Sequence, residues 1–231
     1  MTEPPFETQE LRRKLSEFLE KQVEDPVTGN QVSVGNYKFG VYAFFDYDAE
    51  PIYVGQTNER LRTRIRRHLT NQRTDAVAMK VLDPFEVYEV EVWPLAQYEG
   101  RPTADAEAKA HLNWLEYDIF QHLLGQSHFN AVLNEKDPPA VPQGTFQRPV
   151  GVRGRIVSDQ VLELRKHSDT RIARRAETLS LLAKVISERQ VQKGLRRTLL
   201  TQAKRLAWLA ERRLADFAEE PDDGVPGESE T

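Results

Sequence analysis

Two short runs constrain the fold of this chain most. Residues 38–46, KFGVYAFFD, and residues 51–56, PIYVGQ, are apolar, β-branched and aromatic, and each is too short for a typical helix. Between them lies the polar turn YDAE, residues 47–50. The pair reads as a β-hairpin, and an isolated hairpin is at best marginal in water. The rest of the chain must therefore supply a third strand and covering helices. Residues 85–95, FEVYEVEVWPL, supply the strand: Val87, Glu89, Glu91 and Trp93 alternate with Tyr88, Val90 and Val92.

Helical spacing appears on both sides of these strands. Leu11, Leu15, Phe18 and Val23 predict a helix over 8–24, ended by the turn residues DPVTGN at 25–30. Thr57 or Asn58 can cap a helix from about Glu59 to Asn71, whose buried stripe is Leu61, Ile65 and Leu69. A further short helix is expected over 74–83. A long one is expected from Thr103 to about Leu124, with Gly125 as its stop. Residues 137–157 are rich in Pro and Gly and read as a linker or long loop. From Ser158 to about Glu220 the pattern is helical, with a break near Gln192–Gly194 that suggests a two-helix hairpin. Leu195, Leu199, Ala203, Leu206, Ala210 and Phe217 are expected to share its apolar face.

The expected fold class is thus α+β: a small antiparallel three-stranded sheet flanked by helices, with a C-terminal helical hairpin. The expected division is a lead-in over 1–34, a central domain over 35–136, a linker over 137–157, a basic helical region over 158–220 and an acidic disordered tail over 221–231.

Net charge is −4, which taken whole argues against a nucleic-acid partner. The distribution reverses that inference. Residues 60–73 hold six Arg and no acid, and residues 151–213 hold 16 Lys and Arg against 6 Asp and Glu. Residues 219–231 hold six acids and no base, so the net charge of the rest is +2. Such an acidic end reads as a solvated tail. Cysteine is absent, which removes disulfides, Cys-ligated zinc and Cys nucleophiles and fits a cytoplasmic protein. Neither a secretory leader nor an apolar run of membrane-spanning length is apparent, so no membrane association is expected.

The residues that carry chemistry fall in an ordered series. Gly40-Val41-Tyr42 sits in the first strand and Tyr53-Val54-Gly55 in the second, with ten residues between the triplets. Leu61-x-x-Arg64-x-x-x-His68 follows on the helix, where Arg64 and His68 share a face by i, i+4 spacing. Arg62 and Arg66 lie on the opposite margin, available to solvent or a nucleic-acid backbone. Glu116 falls inside the apolar stripe of Leu112, Leu115, Ile119 and Leu123. A carboxylate there is costly unless paired, hydrogen-bonded or bound to a metal. Taken alone it reads as half of a buried ion pair with an Arg. Tyr42 and Tyr53 taken alone read as strand aromatics of the core. There is no P-loop, no GxSxG elbow and no HExxH.

Together these residues resemble the GIY-YIG nuclease family, over roughly residues 35–135. GVY at 40–42, YVG at 53–55, the Arg64/His68 helix and the later acidic residue match its signature in order and spacing. The family's last motif is an Asn soon after the Glu helix; Asn130, in SHFNAVLN, is taken for it, with Asn134 as second candidate and no Pro directly before Asn130. The resemblance implies an endonuclease hydrolysing DNA phosphodiesters with one divalent metal, Mg²⁺ or Mn²⁺. Glu116 would hold the metal and Arg64 the phosphate. Tyr42 would activate or position water, with His68 taking the proton onward; Tyr53 would orient and Asn130 brace. Gly40 and Gly55 would permit close approach of backbone and substrate.

Such nucleases often carry a separate DNA-binding or dimerising part. The basic helices are therefore expected to supply DNA affinity, homodimer contacts or both. Arg62, Arg66, Arg67, Arg153, Arg155, Arg174 and Arg175 are the candidate phosphate contacts. A restriction-type or mobile-DNA role is the leading expectation. A repair or homing nuclease, or a non-catalytic nucleic-acid-binding module on the same fold, are the alternatives.

Overall fold

The structure is a computed structural model and describes residues 4–70, 81–134, 136–141, 144–188, 191 and 193–218. The short helix expected over 74–83 falls mostly outside these residues, and the acidic tail expected over 221–231 does so entirely.

The first helix, α1 (Phe6–Glu20), buries Leu11, Leu15, Phe18 and Leu19. It ends earlier than the spacing predicts, because Val23 belongs to a strand. That strand, β1 (Gln22–Glu24), pairs antiparallel with β2 (Gln31–Ser33). DPVTGN is the turn between them. Asp25 accepts hydrogen bonds from the Val27 and Thr28 amides, and Gly29 takes a φ of 71°. Tyr37 then donates to Asp25 Oδ2 at 2.9 Å, so the side chain that shapes the turn also anchors it.

The expected hairpin forms as β3 (Gly40–Phe45) and β4 (Pro51–Thr57), paired antiparallel. In its turn Asp46 accepts from the amides of Asp48 and Glu50. β5 (Glu89–Pro94) pairs with the other edge of β3. The sheet does not stop at three strands. β6 (Val152–Arg155) pairs with β5, giving the order β4-β3-β5-β6. The end of the Pro/Gly-rich segment is thus a strand and not a loop. Its glycine is the reason it fits: a Cβ on Gly154 would lie 2.7 Å from the Phe18 ring of α1.

The strand period of two sorts residues onto two cores. Tyr42 and Phe44 face α1 and α2 (Leu61–Thr70), packing with Leu15, Leu19, Leu61, Ile65 and Leu69. Val41, Ala43, Phe45 and Val54 face the other way, against Leu112, Leu115 and Ile119 of α3 (Ala106–Gln126). α3 starts later than expected because Asp105 is its cap, accepting from the Ala108 amide at 2.8 Å. Gly125 lies inside the helix and does not stop it.

Three helices follow: α4 (Asp159–Arg165), α5 (Ser168–Glu188) and α6 (Lys193–Ala218). α5 and α6 form the expected hairpin. Leu182, Ile186 and Leu195 join the first core. The expected single apolar face of α6 is covered at one end only: Leu195 is buried, whereas Phe217 is 51% exposed. The two residues lie only about 40° apart around an ideal helix, so the face is continuous but loses its cover along the helix, from buried Leu195 to exposed Ala210 and Phe217.

The hairpin is joined to the sheet by buried charge. Arg175 and Arg205 both donate to Asp46 Oδ2, at 2.9 and 2.6 Å, and Arg175 Nε donates to Glu86 at 2.9 Å. Arg171 reaches Asp48. All three arginines and Asp46 are buried. Part of the basic excess of residues 151–213 is therefore spent inside the molecule. No described helix is long and apolar enough to cross a membrane.

Candidate active site

Tyr42 lies directly opposite Gly55 in the hairpin register. Its ring is fully buried and packs at 6.2 Å from Tyr53 and 5.8 Å from His68, centroid to centroid. Tyr53 and His68 are 5.1 Å apart. The strand period puts Tyr42 and Tyr53 on the face that α2 covers, and i, i+4 spacing puts Arg64 and His68 over them. The geometry therefore gathers four of the expected residues: Tyr42, Tyr53, Arg64 and His68.

Gly55 owes its identity to this packing. A Cβ there would sit 2.6 Å from Tyr42 Oη and 2.9 Å from the Tyr53 ring. It makes room for a tyrosine of its own chain, where the sequence suggested room for substrate. Gly40 is tight in the same sense: its Cβ would lie 3.0 Å from the Trp93 carbonyl.

Tyr42 Oη and Arg64 Nε are both closed to solvent and have no hydrogen-bond partner in the protein. Buried polar atoms are normally satisfied. Guanidinium nitrogens of Arg171 and Arg205 are also unsatisfied, but each of those arginines places another nitrogen on a carboxylate, and Arg165 is held on Glu7 through Nε. Among the described residues no ion pair engages Arg64, or Arg62, whose Nε is likewise buried and unpartnered. Tyr42 Oη is the one such side-chain atom outside an arginine among the described residues.

Burial pushes the Tyr42 hydroxyl well above its ordinary pKa of 10; the neighbouring Tyr53 adds to this, and the Arg64 charge offsets it only in part. His68 is pushed down to about 4, by burial first and then by the charges of Arg64 and Arg67. At neutral pH Tyr42 is a phenol and His68 a neutral imidazole. Burial works against the Arg64 charge, yet Tyr42, Tyr53 and Glu59 leave its pKa above the ordinary value.

Glu116 approaches from the opposite layer. β4 is an edge strand, and the charge of Arg64 on α2 reaches Glu116 on α3. Glu116 is partly buried, and burial raises its pKa to about 7 against the pull of Gln56 and Arg64. Gln56, directly after the YVG triplet, holds the Glu116 carboxylate and donates to Asn113 at 3.0 Å. Nothing in the sequence pattern singled out Gln56; its place after Gly55 on the edge strand was the available signal. A groove of about 250 Å³, lined by Gln56, Thr57, Asn58, Lys109, Leu112 and Asn113, opens beside this edge.

Of the two candidate asparagines, Asn134 and not Asn130 is buried against the sheet. Asn134 is buried, accepts from the Val54 amide at 3.0 Å and donates to the Val54 carbonyl at 2.7 Å. It thereby occupies the free edge of β4 between Tyr53 and Gly55. Asn130 is exposed, with φ 49°, and serves a turn.

The remaining basic candidates are distributed differently. Arg66 donates to Ser16 of α1 at 2.9 Å, and Arg67 pairs with Glu59 at 2.8 Å. Arg62 and Arg66 thus face α1 and not open solvent. Arg153 pairs with Glu89 and lies over the Phe45 ring, Arg155 pairs with Asp159, and Arg174 pairs with Asp83. Arg175 is buried on Asp46 and Glu86, so it presents no charge to a ligand outside.

Among the described residues no group of three or more His, Cys, Asp or Glu gathers as a metal cage. The donor set beside Tyr42 and Arg64 is one carboxylate. That suits a hard cation which keeps most of its water, and does not suit zinc.

Residues 38–110 match the family model described as the GIY-YIG catalytic domain. The match spans both triplets and the Arg64/His68 helix and stops short of Glu116 and Asn134. No curated protein and no solved structure matches the chain.

Proposed function

We propose that this chain, whose residues 38–110 are a GIY-YIG catalytic domain and so of a nuclease family, is a metal-dependent endonuclease acting on DNA. The observation that supports this most is the gathering of Tyr42 Oη and Arg64, buried polar groups that interact with each other but make no hydrogen bond of ordinary length, beside a carboxylate with a raised pKa. Leaving a buried polar atom unsatisfied costs about 1–3 kcal/mol, and a phosphate oxygen or water entering there would relieve it.

Each residue has a role that its setting allows. Arg64, charged and engaged by no carboxylate, takes a non-bridging phosphate oxygen and offsets the charge that grows on it. Glu116 holds one Mg²⁺ or Mn²⁺ through an oxygen, after losing its proton near pH 7. When bound, the cation supplies Lewis-acid polarisation of the phosphate and support for the leaving oxygen. Tyr42, as a phenol, donates to the attacking water or the phosphate and fixes its line of approach. Burial disfavours its ionised form, so in this reading it positions and does not deprotonate the water. His68, neutral, edge-on to the Tyr42 ring and tilted against Tyr53, is the acceptor available for the proton of the water. Tyr53 orients the same group. Asn134 holds the backbone between Tyr53 and Gly55 in register.

Incubation with plasmid DNA and Mg²⁺, beside Glu116→Ala and Tyr42→Phe, tests the reading. Cutting that requires the metal and is lost in both variants is expected. Equal cutting by Glu116→Ala would sink the metal assignment, and binding without cutting by the wild type would favour a non-catalytic DNA-binding module.

A further inference from the structure

Helix α6 carries a second pattern that the fold does not use. Leu200, Ala203, Ala207, Ala210, Leu214 and Phe217 recur at spacings of three, four, three, four and three. This is the a/d repeat of a coiled coil, sustained over 18 of the 26 residues of the helix, from Leu200 to Phe217. The stripe faces away from the protein. Leu195, Thr198, Gln202, Arg205 and Leu209 form the buried face of the same helix. On the other side Leu200 is 57%, Leu214 72% and Phe217 51% exposed, and Ala207 and Ala210 are exposed. Arg213 bonds Asp169 at the start of α5, so the turn from Leu214 onward runs past the end of its hairpin partner.

A helix that needed only one neighbour would carry polar residues here. We propose that this seam is an antiparallel dimer interface, and that its occupant is α6 of a second copy of the chain. The pattern is its own complement. Run antiparallel, Leu200 meets Phe217 of the second copy, Ala203 meets Leu214, and Ala207 meets Ala210. The alanines at the centre let the backbones approach to the short end of the usual 8–10 Å range, while the bulky residues close the two ends.

The flanking charges agree. Lys204 and Glu211 border the seam, both are exposed, and among the described residues neither makes an ion pair. The antiparallel arrangement sets each Lys204 beside Glu211 of the other copy, twice by symmetry. A parallel, in-register pair would instead set Lys204 against Leu199 and Glu211 against Leu206, leaving both charges without a partner. The chain's own end does not fit the seam: residues 219–231 hold six acids and one large apolar residue, Val225. DNA does not fit an apolar stripe. Because α6 is already ordered by packing on α5, the helix need not form at the cost of association. The pairing would bring two GIY-YIG domains under one two-fold axis, one for each strand of a duplex.

Sedimentation velocity on the full chain between about 1 and 100 µM tests this. The expected mass rises to twice that of the monomer. Leu214→Arg with Phe217→Arg is expected to stay monomeric throughout, with an unchanged circular-dichroism spectrum, since both side chains are exposed. Lys204→Glu is expected to weaken the dimer roughly tenfold, and adding Glu211→Lys to restore it. The chain has no cysteine, so Ala207→Cys and Ala210→Cys report direction without background: oxidation should cross-link their mixture more than either alone. A wild-type monomer at every concentration, a dimer indifferent to the two arginines, or preferential cross-linking of Ala207→Cys to itself would each overturn the proposal. None of these measurements depends on cleavage, so the proposal and the nuclease reading fail separately.

Discussion

Tyr42 and Gly55 face each other across the β3–β4 hairpin so closely that a methyl group on residue 55 would lie 2.6 Å from Tyr42 Oη. The glycine of the second triplet therefore sets the position of the tyrosine of the first. Gly55→Ala should displace Tyr42, cost about 1–3 kcal/mol as an overpacked core does, and abolish cutting. In that background Tyr42→Phe, which removes the nearest atom, should recover part of the thermal midpoint and none of the activity. An active Gly55→Ala enzyme would show that Tyr42 need not be held there.

Metal affinity should fall with acid. The Glu116 pKa is raised to about 7, so the proton competes with the cation below that pH. Calorimetric titration of Mg²⁺ at pH 6 and pH 8 should show weaker binding at pH 6, and Glu116→Gln should show none at either. In chelated protein the native carboxyl binds more protons than the unfolded one between pH 4.5 and about 7. The contribution of Glu116 to stability therefore declines as pH rises through that window, and Glu116→Gln lacks this contribution.

His68 works in the opposite direction. Its pKa is lowered to about 4 from 6.5, so between those values the unfolded chain binds the extra proton. The contribution of His68 to stability is complete above pH 6.5 and is lost as pH falls toward 4, opposite in sign to that of Glu116. Chelated His68→Phe should lose less of its thermal midpoint than wild type on going from pH 7 to pH 5. Equal losses would mean that the ring is not held neutral by its surroundings.

Asp46 receives Arg175 and Arg205 on one oxygen. Asp46→Ala leaves both guanidinium groups buried without it, and urea unfolding should register a loss of about 3–5 kcal/mol. The loss should be shared by the sheet and the helices in one transition, because the ion pairs join them.

Asn134→Ala removes two hydrogen bonds to Val54. It should cost about 1–3 kcal/mol and impair cutting through the edge of β4. Asn130→Gly, at an exposed position with positive φ, should leave stability within about 0.5 kcal/mol of wild type and activity unchanged. The reverse ranking would return the bracing role to Asn130.

How much of this was legible in the sequence follows from the range of the forces. The hairpin, the Arg64/His68 face and the stripe on α2 were readable because periods of 2 and 3.6 are set by the local backbone. Val23 was misjudged because its spacing suits a helix while Asp25 builds a turn two residues later. The fourth strand was missed because VRGR looks like a basic linker. It becomes a strand only where the Phe18 ring needs a glycine beneath it. Asn134 and Asn130 are alike by composition, and only burial beside Val54 separates them.

By itself, then, the amino-acid order determined the local elements, the order of the site residues and the match to a GIY-YIG catalytic domain over residues 38–110. The tertiary structure alone decided which cations remain open to a ligand. The count of arginines states a charge but not its partner, since a guanidinium pairs with any carboxylate that packing brings near. Arg175 found Asp46 across 129 residues and is spent there; Arg64 meets a buried, unpartnered Tyr42 hydroxyl and keeps its charge for what enters the site.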